Sequence, residues 1–237
     1  MEWPDVAILI PTYNRAQIVK QTVSLLLRNL QYSGFAFVIV GCDGDDDTAE
    51  VIKSLDDDSV RRFSIRVLNN RAGGIGANLN RLIRVAQAER VEYFIGMDDD
   101  HHLIAPLCLD PHVEKLMLDK SAGWIHLLME ARGDEHYDRY KFTASLDGDH
   151  YWRIHWDSAE RFIMSFRPHL FHTRWLEAFG YLPERLKTGE TEWSYSGSCK
   201  QRGNIGVGVN ALVPLRAYGA ETWHHNNGGK SWNQLGL

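Results

Sequence analysis

The first hundred residues alternate short apolar runs with stretches of helical periodicity, and that alternation limits the fold more than any other feature. Val6–Ile10 is an apolar run closed by Pro11, the pattern of a buried strand. Asn14 is placed to cap a helix whose apolar positions Val19, Val23, Leu26 and Leu30 share one face, with Gly34 as its stop. Phe35–Val40 reads as a second strand, Thr48–Leu55 as a helix capped by Asp47, and Phe63–Leu68 as a third strand. After Gly73, Gly74 and Gly76, the spacing of Ile75, Leu79, Leu82, Ile83 and Ala86 predicts another helix, and Tyr93–Met97 a fourth strand. Strands separated by helices make an α/β fold with a parallel sheet and right-handed crossovers, whose ligands bind beyond the carboxyl ends of the strands. Thr12, Asp43 and Asp98–Asp100 each follow a strand directly, so one sheet edge gathers them.

The second half is less regular. Gly123–Met129 and Lys141–Ala144 read as strands, Trp175–Phe179 as a short helix ended by Gly180, and Glu192 to about Arg202 as a helix stopped by Gly203. Nothing marks a linker or repeat, so residues 1–237 are expected to form one domain. With 44% hydrophobic and 24% charged residues the chain is globular rather than disordered. No apolar run reaches the ~20 residues that cross a bilayer, and no leader pattern opens the sequence, so a cytoplasmic location is the expectation. Cys42, Cys108 and Cys199 are scattered and odd in number, which points to buried free thiols and not to disulfides or a thiolate zinc site. The net charge of −5 is uneven: residues 160–237 carry nine basic and six acidic groups, which leaves −8 on residues 1–159. An acidic first half suits a cation, and neither half is basic enough to imply nucleic acid.

The densest chemical signal is Asp98-Asp99-Asp100, followed by His101-His102. Adjacent carboxylates repel unless solvent or a cation relieves them, and Mg²⁺ or Mn²⁺ bound there keeps positions open for phosphate oxygens. A solvated acidic turn is the alternative. Asp43-Gly44-Asp45-Asp46-Asp47 begins like a calcium loop, but Thr48 and Ser54 stand where that loop needs Gly and Glu. Asp43, nearest the strand, is the better ligand candidate there, for a base or ribose. The tail Trp223-His224-His225-Asn226-Asn227-Gly228-Gly229-Lys230-Ser231 offers an imidazole for a metal, and Lys230 with Ser231 for a diphosphate; a polar loop explains it as well. Glu190 and Glu192 precede a predicted helix, where acids favour the helix dipole; either is also a candidate general base.

Together these segments resemble the family 2 glycosyltransferases, which have the nucleotide-sugar-binding GT-A fold. Ile10-Pro11-Thr12-Tyr13-Asn14-Arg15 resembles that family's opening signature, and Val38–Gly44 its second-strand motif, whose acid corresponds to Asp43. Arg71-Ala72-Gly73-Gly74-Ile75-Gly76-Ala77-Asn78 resembles the segment near the nucleotide and phosphates, although Leu79 stands where an arginine is often found. Asp98 and Asp100 match the D-x-D metal element, Glu190-Thr191-Glu192 the acid motif, and the tail histidines the late metal ligand.

The resemblance implies a Rossmann-like, mostly parallel central sheet flanked by helices. A nucleotide-sugar half (1–103) would be joined to an acceptor half (104–237). Pro11, Thr12, Tyr13, Arg15, Asp43, Arg71, Gly74, Asn78, Asp98, Asp99, Lys230 and Ser231 would meet a nucleotide-diphospho-sugar, a UDP-sugar foremost. Mn²⁺ or Mg²⁺ would lie on Asp98, Asp100 and His224 or His225. Glu190 is preferred to Glu192 as the base, being the first acid of its motif, for an inverting transfer to a hydroxyl of a glycan, protein, small molecule or modified nucleic-acid base. Trp152, Trp156 and Trp193 are candidates for stacking on the acceptor, with core packing as the alternative. The competing functions are a noncatalytic nucleotide-sugar or carbohydrate-binding protein and a sugar-phosphate nucleotidyltransferase. The second would need a glycine-rich loop after the first strand, where Pro11–Arg15 stands. A zinc hydrolase lacks any H-E-x-x-H spacing.

Overall fold

The computed structural model describes residues 2–44, 47–55, 63–69, 71–127, 139, 141–143, 151–204, 213–217 and 223–225. Its first elements are β1 (Val6–Thr12), α1 (Ala16–Asn29), β2 (Leu30–Gln31), β3 (Ala36–Cys42), α2 (Thr48–Lys53), β4 (Phe63–Asn69), α3 (Ile75–Ala88) and β5 (Tyr93–Gly96). There follow β6 (His101–Leu103), β7 (Leu107–Cys108), α4 (Asp110–Leu118), β8 (Ala122–His126), β9 (Phe142–Thr143), β10 (Tyr151–Ile154) and β11 (His169–His172). The last are α5 (Thr173–Phe179), α6 (Thr188–Asn204), β12 (Val213–Ala217) and β13 (Trp223–His225).

Among the described residues a nine-stranded sheet in the order β4-β3-β1-β5-β11-β8-β12-β10-β9 forms the centre. The expected four strands pair in parallel. All seven residues of β1 are buried because helices cover both faces of the sheet. Val6, Ile8 and Ile10 pack with Val19, Val23 and Leu26 of α1, while Ala7 and Leu9 pack with Leu79, Leu82 and Ile83 of α3. From β5 the sheet continues through β11, antiparallel to both β5 and β8, and β12 lies parallel to β8.

Several boundaries differ from the sequence expectation. Asn14 adopts a left-handed turn (φ 49°), and Arg15 takes the N-cap of α1 instead. That helix stops at Asn29, well before Gly34, because Leu30–Gln31 turn away to pair with β7. Asp47 does stand at the N-cap of α2, but without a side-chain capping bond. Cys42 and Cys199 are buried as expected, whereas Cys108 is exposed. Helix α6 begins at Thr188, so Glu190 and Glu192 both lie on it. Two residues apart on a helix means about 200° of rotation, so one site can face only one of them.

Candidate active site

Three strand ends build the floor of the site. The Asp43 amide donates to Thr12 O at 3.0 Å, tying the end of β3 to the end of β1, and the Met97 amide donates to Leu9 O at 3.2 Å, tying in β5. Asp98, Asp99 and Asp100 follow as a turn. Asp99 anchors the turn: it is 2% exposed and accepts from Thr12 Oγ1 at 2.6 Å and Arg15 Nη1 at 2.7 Å. Its carbonyl accepts from Thr22 Oγ1 at 2.5 Å. Thr12 and Arg15 are thereby committed to the turn. Arg15 Nη2 also reaches Asp100 Oδ2 at 3.0 Å.

Asp98, Asp100 and His101 each offer one ligand atom, and these atoms lie within 4.8 Å of one another. Two carboxylate oxygens and an imidazole nitrogen suit a divalent ion such as Mn²⁺. The electrostatics agree. Burial raises the Asp98 carboxyl well above the usual carboxylate range, and the negative charges of Asp100, Glu192 and Asp99 push it further against the opposing pull of Arg15. A cation beside it would reverse that pressure. His101 follows the acids directly in sequence, yet its nearness in space is what suggests it as a ligand. The antiparallel pairing of β13 with β6 sets His225 opposite His101 and His224 opposite His102, so the backbone of the late histidines arrives beside the acidic turn. Lys230 and Ser231 lie outside the described residues.

The two glutamates separate cleanly. Glu190 is exposed and, among the described residues, accepts a long 3.4 Å bond from the Lys187 amide. Glu192 turns inward, and its Oε1 accepts from the Phe166 amide at 2.7 Å. The carbonyl of the same Phe166 accepts from the Asp98 amide at 3.2 Å, so one residue's backbone bridges Asp98 and Glu192. Burial raises the Glu192 carboxyl to about 7, with the Phe166 hydrogen bond and Arg167 opposing. An apolar cavity lined by Leu79, Trp124, Met164, Phe166, His169 and Tyr195 lies against it. Sequence carried no signal for the 164–166 segment, which is irregular backbone held to α6 by Ser196 Oγ, bonded to both the amide (2.9 Å) and the carbonyl (2.7 Å) of Met164.

Asp43 faces a loop. Its Oδ1 accepts from the amides of Ala72 and Gly73, and its Oδ2 from that of Gly74 at 2.9 Å. Gly73 and Gly74 have φ of 86° and 110°, which residues with a side chain rarely adopt. Asn78 donates to Gly41 O at 2.7 Å and accepts from Arg81 at 3.0 Å, so it too is bound within the fold. Pro11 is buried in β1, Tyr13 is half-buried and Arg71 is exposed.

Helix α3 also locates α6. Asn80 Nδ2 donates to Leu182 O and Glu184 Oε1, both at 2.9 Å, and its Oδ1 accepts from the Leu182 amide at 3.0 Å. Asn80→Ala is therefore expected to lower unfolding free energy by about 2–4 kcal/mol and Tm by roughly 4–16 °C, because the buried backbone amide and carbonyl of Leu182 lose their partner. Urea and thermal unfolding measure this. A change within experimental error would mean that segment is held otherwise.

Of the tryptophans, Trp193 is 58% and Trp152 39% exposed. Trp156 is 6% exposed and packs on Trp175 and Phe179 in the core, the packing alternative to an acceptor contact. Among the described residues no helix is long and apolar enough to cross a membrane.

Comparison with known proteins agrees with the fold. Among solved structures the chain is similar to S. aureus TarS 1-349 in complex with UDP-GlcNAc, with 16% identity and a TM-score of 0.65, over 98% of this chain and 61% of that one. It is also similar to the mannosyltransferase PcManGT from Pyrobaculum calidifontis in complex with GDP-Man and Mn²⁺, with 15% identity and a TM-score of 0.58, over 92% and 56%. At such identities the likeness is one of fold, and the chain spans about three fifths of the length of these structures. No curated protein matches its sequence. The family model described as glycosyl transferase family 2 matches residues 7–173, more than half of the chain, and the chain belongs to that family.

Proposed function

We propose that this chain transfers a sugar from a nucleotide-diphospho-sugar, a UDP-sugar foremost, to a hydroxyl acceptor, with Glu192 as general base and a divalent cation held by Asp98 and Asp100. The observation that carries this reading is the Phe166 bridge, which sets a buried carboxyl of raised pKa next to a turn with cation-ligand geometry. His101 and one of His224 and His225 would complete the cation's protein ligands. When bound, the cation would supply positive charge to the departing diphosphate.

The chain's own residues do the rest. Glu192 accepts the acceptor's hydroxyl proton, the acceptor oxygen forms a bond to the anomeric carbon, and the bond from that carbon to the diphosphate oxygen breaks, which inverts the centre. Asp43 shapes the nucleoside side by fixing the 72–74 amides, while Pro11, Tyr13 and Arg71 lie along it. The exposed Trp193, next to Glu192 on α6, and Trp152 offer ring faces to the acceptor. Glu190, solvent-facing, takes no part.

A thermal-shift series with UDP- and GDP-sugars, with and without Mn²⁺, tests the donor. A donor at 100-fold its Kd stabilises by about 2.7 kcal/mol, worth roughly 5–11 °C for a chain of this size. A shift that requires both nucleotide sugar and metal is expected; flat curves for every donor would sink the reading. A noncatalytic binder would give the same shift, and sugar transfer by the wild type that is lost in Glu192→Gln separates the two.

A further inference from the structure

We propose that Arg15 is a built-in counter-ion for the acidic turn, a positioning residue that holds Asp99 and Asp100 in register when no metal ion is bound. Its guanidinium spans both carboxylates, with Nη1 to Asp99 Oδ1 at 2.7 Å and Nη2 to Asp100 Oδ2 at 3.0 Å. A planar fork is suited to that double contact, and a lysine ammonium is not. The Arg15 side chain is 9% exposed and that of Asp99 2%, so solvent screens the pair weakly. The arginine comes from the start of α1, 84 residues away in sequence, so this contact also ties the first helix to the end of β5.

Three consecutive acids on a buried strand end would repel one another with nothing positive beside them. Arg15 sits on the Asp99 and Asp100 side of the turn. It engages Asp100 through Oδ2, while Oδ1 lies toward His101 Nδ1 at 3.4 Å. Asp100 thus has one oxygen fixed by a permanent cation and the other on the side of the candidate metal ligands. A turn organised in this way stays folded as an exchangeable ion comes and goes. Without Arg15, both ion pairs that the turn's Asp99 and Asp100 make with it are lost, and an exchangeable ion would supply positive charge in its place. The inference rests on the cation site proposed above.

The test compares wild type, Arg15→Gln, Arg15→Lys and Thr12→Val by thermal unfolding in EDTA and in MnCl₂, with Mn²⁺ affinity measured by titration calorimetry. Thr12→Val removes an uncharged bond to Asp99 and serves as the control. In EDTA, Arg15→Gln is expected to melt roughly 6 °C or more below wild type, since it leaves buried charge uncompensated. Mn²⁺ should recover most of that loss, giving a larger metal-induced rise than in wild type. Arg15→Lys should keep a small rise, and Thr12→Val should lose the same amount in both buffers. An equal deficit for Arg15→Gln with and without Mn²⁺, or no deficit at all, overturns the proposal. Should this variant fail to fold in EDTA, recovery of folded protein by refolding in Mn²⁺ supports it, and failure in both overturns it. Wild type that binds no Mn²⁺ ends the cation site as well, whereas wild-type binding with no enlarged rise in Arg15→Gln ends this inference alone.

Discussion

Glu192→Gln is expected to lower the transfer rate by roughly 10²–10⁴-fold while donor affinity stays within a factor of about two. The amide keeps the size of the side chain and can still accept from the Phe166 amide through its carbonyl, so the 164–166 segment has no reason to move. What it loses is the ability to take a proton. The same group sets the pH dependence. With the carboxyl raised to about 7, transfer should climb with pH along a limb centred near 7, because only the ionised form accepts the hydroxyl proton. The stability effect has the opposite sign. A folded-state value above the ordinary 4.5 favours the folded protein fully below that pH, and the contribution disappears as pH rises through 7. The stability advantage of Glu192→Gln over wild type should therefore be small at pH 5 and larger at pH 8, by on the order of 2 kcal/mol. Steady-state rates and melting curves from pH 5 to 9 check both signs. Glu190→Gln in parallel should leave the rate within about twofold, and a large loss there would return the base to the outer glutamate.

Replacing Asp98 or Asp100 by asparagine is expected to weaken Mn²⁺ binding by more than about 100-fold, since each change removes a charged oxygen from a three-ligand set. The two variants should differ once metal is removed. Ionised Asp98 is disfavoured by its burial and then by repulsion from Asp100, Glu192 and Asp99, so Asp98→Asn relieves that cost and should raise Tm in EDTA. Asp100→Asn gives up the 3.0 Å ion pair with Arg15 and should lower it. Melting in EDTA together with Mn²⁺ calorimetry reads both effects. If Asp98→Asn kept full Mn²⁺ affinity, the cation would have to lie elsewhere.

Much of the first half was legible because its information is local and periodic. The apolar run that became β1 and the stripe Leu79, Leu82, Ile83 and Ala86 of α3 each announce one element, and the turn residues between them fix the order. The acidic turn was legible for the same reason, since three acids at a strand end are costly without a partner. Side-chain partners were not. Asp43 and Asp99 carry no mark that one holds three loop amides and the other an arginine 84 residues away. Which of Glu190 and Glu192 turns inward was likewise closed to the sequence. It depends on where α6 begins and on which of two nearly opposite helix faces meets Phe166.

By itself, then, the amino-acid order determined the α/β alternation, the sheet edge where polar groups collect and the family to which the chain belongs. Tertiary structure alone decided which of those groups face one another. Periodicity is a property of neighbours along the chain, whereas the Asp98–Phe166–Glu192 bridge and the Arg15 clamp join segments that only the closed sheet and its covering helices bring within hydrogen-bonding distance.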